Sequence, residues 1–450
     1  MNKTAIEYYN DLLAAMSTSE IEGMQENFLA NLSLRKASYG DRLLTRYLRP
    51  KFLTIEQMKT MRRVCTTLRN VIVKVKDAYF DDMQIQADIA LTEGEQMLAA
   101  IEPGFSRICV TSRWDSFWGE QGLKFVELNA ECPAGVAYTD IMSQVYQDLP
   151  VMRRFTEKYR AEPFYVREML LDALLFTYLN WQGNKSPRAV PNIAIVDWED
   201  VPTYSEFELL QTYFEFHGLN TIIADPRELD YSGGRLRKGD FEIDLVYRRV
   251  LTQEFLEKLD EVQPMLQAYR DRNVCMVNSF RTKMLHKKSV FAILSDSRNA
   301  GYFSAGERRV IDAHIPWTRL ISDCKTDFHG ETIDLLNYIS RNRENLVIKP
   351  NDEYGGKGVV IGWETSQEAW EKAVQSAQDD VWVVQEKVPL AKEVFAYYED
   401  GLQFKELLVD LDPFLFGVNV AGFLTRLSTS SLANVTAGGG ATVTFIIEEV

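Results

Sequence analysis

Histidine is scarce in this sequence: four residues in 450, at His217, His286, His314 and His329, with no HExxH or other short ligand spacing. That scarcity argues against a histidine general base and against a histidine zinc site. Cysteine is thin as well. Cys65, Cys109, Cys132, Cys275 and Cys324 are odd in number and form no CxxC pair, which fits neither a disulfide framework nor a thiolate metal site. No apolar run approaches the roughly 18 residues of a membrane helix. Glu7 and Asp11 interrupt the amino terminus before any apolar core forms, so no secretory signal is expected and the cytoplasm is the expected compartment. GxxxxGK[ST], GxSxG and a GxGxxG after a strand are all missing, which removes the Walker, hydrolase-elbow and dinucleotide fingerprints. A net charge of −15 weighs against broad binding to nucleic acid or anionic membrane. It does not exclude a nucleotide, whose site needs only a few local cations and a divalent metal.

What is present is an ordinary globular composition, 46% hydrophobic and 26% charged, in a chain long enough for two or three units. Residues 1–100 repeat apolar positions at helical spacing, notably from Ile55 to Ala99, and carry no polar constellation that suggests chemistry. Residues 101–185 open with two strands, FSRICVTSRWD and LKFVELNAE, around the turn WGEQG, and continue as helix to about Tyr178. Residues 186–275 alternate strand and helix (NIAIVDW, EFELLQTYFEFHG, LNTIIAD, EIDLVYRRV), the order of an α/β unit with a parallel sheet. Residues 276–450 begin with a helix over 281–297, alternate again through LVIKP, VVIGW, Gln367–Ala377 and VWVVQEKV, and end strand-rich.

Several polar groups fall on these elements at spacings that matter. Glu127 and Asn129 share one face of their strand, and with Asp115 from the preceding strand they could offer oxygens to a hard cation. Arg113 has the parity of Asp115 and could meet anionic oxygens there; an exposed polar rim or an ion pair is the plainer alternative for each. In LVIKPNDEYGGKGVVIG, Lys349 ends an apolar strand, and Gly355, Gly356 and Gly358, with Lys357 among them, punctuate a loop before the next strand. Such glycines let backbone N–H groups approach phosphate, beside a lysine point charge, and Glu353 could bridge to magnesium; a glycine-rich hairpin is the alternative. Gln385, Glu386, Lys387 and Val388 have the texture of a strand that reads an adenine edge. Lys283 and Lys287 would share a helix face where a phosphate could sit, with Lys287 preferred as the nearer. Arg248 and Arg249 close one strand, so at most one enters a shared pocket. Asp410 and Asp412 share strand parity, but Pro413 suggests a turn and a structural role for both. Arg426 could meet an acyl phosphate or a substrate carboxylate, and Gly438, Gly439 and Gly440 suggest a substrate or phosphate loop.

RWD, VELNAE, IDLVYRR, VIKPNDEYGGKGV, VVQEKV and the final R…NVTAGGGA, in this order over residues 105–450, resemble the glutathione-synthetase-like branch of the ATP-grasp superfamily. The likeness is greatest to circularly permuted ATP-grasp proteins and to the synthetase domain of glutathionylspermidine synthase. It implies an α/β fold of α+β lobes: a first part of the catalytic body with metal-binding strands (101–185), a substrate-binding domain (186–275), and nucleotide-binding lobes with a glycine-rich loop (276–450), behind the helical region 1–100. It implies magnesium on Asp115, Glu127, Asn129 and Glu353, with Asp352 one residue away. It implies catalytic roles for Arg113, Arg248 and Arg426, and ATP on Lys283 or Lys287, on Lys349 and the glycine loop, and on Gln385 to Val388. The implied activity joins a small-molecule or peptide carboxylate to an amine through an acyl phosphate, releasing ADP and phosphate. A small-molecule kinase and an inactive nucleotide-binding scaffold of the same fold remain the alternatives.

Overall fold

The computed structural model of the protein describes residues 2–184, 188–430 and 440–450. Three sheets position its polar motifs. The largest is six-stranded and antiparallel. Gly440–Thr442, Asn419–Ser428, Leu402–Phe416, Thr111–Gly119 and Gly122–Asn129 follow one another across it, and Lys392–Tyr398 pairs with the first half of Leu402–Phe416. Thr111–Gly119 and Gly122–Asn129 are the expected hairpin, with Arg113 opposite Asn129 and Asp115 opposite Glu127. The register then shifts, so that Ser116 pairs with Phe125 and Val126 is the extra residue of a β-bulge.

A second antiparallel sheet of four strands runs Thr318–Leu320, Trp382–Glu386, Leu346–Pro350, Val360–Ile361. Its apolar residues Leu346, Ile348 and Val384, with Trp370 of the helix Gln367–Ser376, form a core of their own. The third sheet is parallel, in the order Cys275–Val277, Leu245–Arg248, Ile193–Val196, Thr221–Ala224. Three of its strands are fully buried and Thr221–Ala224 partly so, and they read as the short apolar runs that such sheets require.

The first hundred residues are mostly helical, but they are not a detached lobe. The helix Ile55–Asp81 buries Met58, Met61, Cys65, Leu68, Ile72 and Val75 at three- and four-residue steps, in the same core as Trp114, Phe125 and Phe414. Just before it, the strand Lys51–Thr54 pairs in parallel with Thr444–Glu449 near the carboxy terminus. Three further expectations need correction. The stretch to Tyr178 is broken into Val136–Gln147, Pro150–Phe155 and Val166–Leu179, with a strand Tyr159–Glu162 between; Pro150 and Pro163 flank the breaks. The helix over 281–297 stops at His286 and resumes at Ser289, because Lys287 adopts extended backbone. Pro413 makes no turn. It lies within Leu402–Phe416, one residue before pairing with Thr111–Gly119 begins at Phe414, where a residue without an N–H is tolerated. Among the described residues, no helix is long and apolar enough to cross a membrane.

Candidate active site

A cavity of about 170 Å³ lies between the two antiparallel sheets. From the larger sheet it receives Arg113, Asp115, Phe117, Val126, Glu127, Asn129, Asp410 and Arg426; from the smaller side come Val347, Lys349, Ile361, Gln385 and Glu386, with Gly355, Gly356, Trp363 and Val388. Alternation explains the first group, since residues 113, 115 and 117 point one way and 127 and 129 join them across the register. The bulge explains why Val126, of the opposite parity, also reaches the cavity. Its carbonyl accepts a hydrogen bond from Lys349 Nζ at 3.2 Å, which ties the two sheets together.

At one end of the cavity, charge is concentrated. Asp115 accepts from Arg113 Nε at 2.9 Å, from Asn129 Nδ2 at 2.9 Å and from Arg426 Nη2 at 2.7 Å. Burial pushes its carboxyl up, but the two guanidiniums outweigh this and hold it at about 2. Arg426 Nη2 also meets Asp410 and lies 3.0 Å from Asp412 Oδ2. Burial, with the neighbouring Asp115 and Asp410 charges, raises the Asp412 carboxyl well above the ordinary aspartate range. Asp410 and Asp412, read from the sequence as structural, therefore belong to this cluster. Strand parity was the available signal, and Pro413 concealed it.

Lys349 is buried, and its Nζ also donates to Gln385 Oε1 at 2.8 Å. Burial, reinforced by the nearby Lys288 charge, lowers its ammonium to about 8 in spite of Glu127. Lys288, which the sequence did not single out from its neighbours, has its Nζ 3.5 Å from Glu127 Oε1 and hydrogen-bonded to the Glu353 carbonyl. Lys283 and Lys287 lie elsewhere. Both meet the Asp352 carboxylate, at 2.6 and 2.7 Å, and Lys287 also bonds Glu95 at 2.9 Å while Lys283 reaches Glu131 at 3.2 Å. Neither lines the cavity. The broken helix is the reason: Lys287 does not continue the face of Lys283, and Lys288 is turned toward Glu127 instead.

Arg248 is also outside the cavity. It is wholly buried and bonds the carbonyls of Asn278 and Val250 and the Glu131 carboxylate, so it holds structure together. Its neighbour Arg249 donates to the Pro133 carbonyl at 2.8 Å. Glu353 does not face the cation end: its carboxylate pairs with Lys357 at 3.0 Å. Gly355, Gly356 and Gly358 all have positive φ, between 63° and 77°, the conformation glycine supplies without strain. Gly358 packs away from the cavity, where an added Cβ would lie 2.6 Å from Pro350. Lys387 stacks on Trp363 at 4.2 Å. The Glu386 carboxylate is engaged by the Trp317 N–H at 2.8 Å and His329 at 2.8 Å, and the amides of Glu386 and Lys387 are bonded to Trp317 and Asn345 carbonyls. Val388 therefore remains the adenine-strand candidate whose amide is not so engaged. Gly438 and Gly439 lie outside the described residues; Gly440 begins a strand paired with Leu427.

Among the described residues, no group of three or more His, Cys, Asp or Glu side chains is arranged to hold a metal ion. Magnesium seldom needs one, since it commonly uses one or two carboxylates together with substrate phosphates. Glu127, whose nearest cation is Lys288 at 3.5 Å, and the Asn129 amide fit that role. Asp115, already bonded by three donors, fits only if an arginine moves.

Residues 234–385 match a family described as a circularly permuted ATP-grasp. Over its whole length the chain superposes on a glutathione synthetase-like effector from Globodera pallida, solved in its apo form, with a TM-score of 0.57 at 10% identity, covering 96% of this chain and 98% of that one. The circularly permuted ATP-grasp match thus covers residues 234–385, and the chain as a whole shares the fold of that glutathione synthetase-like protein. Among curated sequences it is 27% identical to a candidate glutamate–cysteine ligase of Frankia casuarinae over 45% of this chain and 23% of that protein. It is 23% identical to an uncharacterized Synechocystis protein over 72% of this chain and 66% of that one. The chain thus spans about a quarter of the first relative's length and about two thirds of the second's.

Proposed function

We propose that the protein is an ATP- and magnesium-dependent carboxylate–amine ligase that works through an acyl phosphate. One observation carries the reading: a single cavity brings together Arg113, Asp115, Glu127, Asn129 and Arg426 from one sheet and Lys349 with the glycine loop from the other side. Apolar Val347, Ile361, Trp363 and Val388 suit a base and ribose, and Lys349 and Lys288 suit the phosphates. Glu127 and Asn129 would hold magnesium, which when bound offsets the charge that grows on the transferring phosphoryl group. Arg113 and Arg426 would orient a substrate carboxylate for attack on the terminal phosphate, releasing ADP. A neutral amine then attacks the acyl carbon, the C–N bond forms, the nitrogen gives up a proton and phosphate leaves. At about 170 Å³ the cavity is smaller than the ~300 Å³ at which ligand pockets begin, so the glycine loop opens to admit nucleotide and closes to exclude water.

Calorimetric titration with a non-hydrolysable ATP analogue, with and without magnesium, tests the nucleotide half. Saturable, magnesium-dependent binding to the wild type that weakens in Glu127→Ala is the expected result. Its absence from folded wild type would remove the reading. A paired screen of carboxylates and amines for ADP release tests the ligase half, because a kinase would release ADP without the amine.

A further inference from the structure

Three carboxylates, Asp115, Asp410 and Asp412, face two guanidiniums, Arg113 and Arg426, in the charged end of the cavity. The anions are not equally served. Asp115 is bonded by Arg113, Asn129 and Arg426. Asp412 Oδ1 takes the Ser116 N–H at 2.9 Å. Asp410 is 2% exposed and lines the cavity, yet its Oδ1 is buried with no hydrogen-bond partner among the described residues, and Asp412 Oδ2, although 3.0 Å from Arg426, is misaligned for a hydrogen bond. A buried oxygen left without a donor costs about 1–3 kcal/mol. Asp410 Oδ1 is thus a buried carboxylate oxygen on the cavity wall, open to a donor from a bound ligand.

We infer that Asp410, with Asp412 behind it, holds the ammonium group of the amine co-substrate. This rests on the ligase reading above and names the chemistry of its second substrate: a primary amine that arrives protonated, as a cation. The arrangement suits the reaction because Asp410 is the cross-strand partner of Arg426. An ammonium on Asp410 and a carboxylate on Arg426 would sit on adjacent, paired strands, which sets the nitrogen beside the carbon it attacks once it has given a proton to the Asp410 carboxylate. An ammonium fits better than a second divalent ion. Its N–H groups tolerate a neighbouring guanidinium, whereas a metal at Asp410 would have to share its oxygens with Arg426 Nη2.

The test is calorimetric titration of the full chain with methylammonium, glycinamide and 1,4-diaminobutane, and separately with magnesium chloride alone, in wild type, Asp410→Asn and Asp410→Glu. Each titration is run with and without a non-hydrolysable ATP analogue. Saturable binding of at least one amine to wild type, weakened tenfold or more in Asp410→Asn and partly restored in Asp410→Glu, is the expected result. Amine binding that is absent from wild type, or equal in Asp410→Asn, overturns the assignment, as does magnesium alone binding in its place. Circular dichroism at matched temperature identifies a variant that has failed to fold, and the Asp410→Glu and wild-type titrations then decide. Nucleotide binding is read in the same wild-type cell, so loss of the nucleotide reading and loss of the amine site are told apart.

Discussion

Asp197 offers a measurement that tests the electrostatics of this fold directly. It follows the strand Ile193–Val196 in the parallel sheet, whose neighbours on either side are Leu245–Arg248 and Thr221–Ala224. The chain runs from this strand first to one side and then to the other, the kind of switch point at which open α/β sheets bind ligands. Asp197 Oδ1 accepts the Trp198 N–H at 2.9 Å. Burial raises its carboxyl from 3.8 to about 6; the Arg249 guanidinium opposes this, and the Glu254 and Asp225 carboxylates add to it. The sign follows from linkage. The folded chain keeps a proton that the unfolded chain has already released between pH 4 and 6, so stability is lost as pH rises through that window and falls no further above it. A rise of about two units corresponds to about 3 kcal/mol at 1.36 kcal/mol per unit. Asp197→Asn keeps the acceptor for Trp198 and removes the charge. The variant is expected to exceed the wild type by about 3 kcal/mol at pH 8 and by about 1 kcal/mol at pH 4.5, read from urea midpoints by circular dichroism at constant ionic strength. A gain that is the same at both pH values, or a variant less stable at pH 8, would show that Arg249 keeps Asp197 ionised and would refute the argument.

Glu127→Gln keeps the shape of the cavity and removes a carboxylate, so magnesium-dependent affinity for a non-hydrolysable ATP analogue should fall at least about tenfold, or 1.4 kcal/mol, with metal-free binding little changed; calorimetry reads both. Lys349→Met deletes bonds to Val126 and Gln385 along with a phosphate charge, and nucleotide affinity should drop by the ~1.5–3 kcal/mol of a charged hydrogen bond, measured in the same titration. Asn278→Ala removes a fully buried amide that bonds the backbone of Val110, Thr111, Ala130 and Glu131. It should destabilise by about 3–5 kcal/mol, since several buried backbone groups lose partners at about 1 kcal/mol or more each, and thermal unfolding checks this.

Periodicity carried most of the fold. The hairpin around WGEQG, three of the four parallel strands (all but Cys275–Val277) and the strand–loop–strand at LVIKPNDEYGGKG were legible, because apolar runs bounded by glycine and polar turns admit few alternatives. Parity carried part of the site, placing Arg113 with Asp115 and Glu127 with Asn129. Three things escaped it. Parity could not say that Val126 bulges, so the carbonyl that Lys349 binds was invisible. Helical periodicity across TKMLHKKSV hid the break at Lys287, which sends one pair of lysines to Asp352 and leaves Lys288 for Glu127. Charge alone could not separate Arg248 from Arg249, since the difference lies in Glu131 and Asn278, remote in sequence.

Glu131 shows how two charged clusters share one strand. With Glu127 and Asn129 it makes a series at alternate positions, and the described strand ends at Asn129. The first two members line the cavity, while Glu131, past the strand end, is buried against Arg248, Lys283 and Thr252. Lys283 in turn holds Asp352 at the entrance to the glycine loop, and Lys287 ties the same aspartate to Glu95 of the helix Glu93–Ala100. Burial opposes the Glu131 charge, but Lys283 and Arg248 hold it at about 2, so this network stays ionised across the physiological range. Asp352, beside the glycine loop, is therefore tied through Lys283 to Glu131, two residues past the end of the strand that carries Glu127 and Asn129.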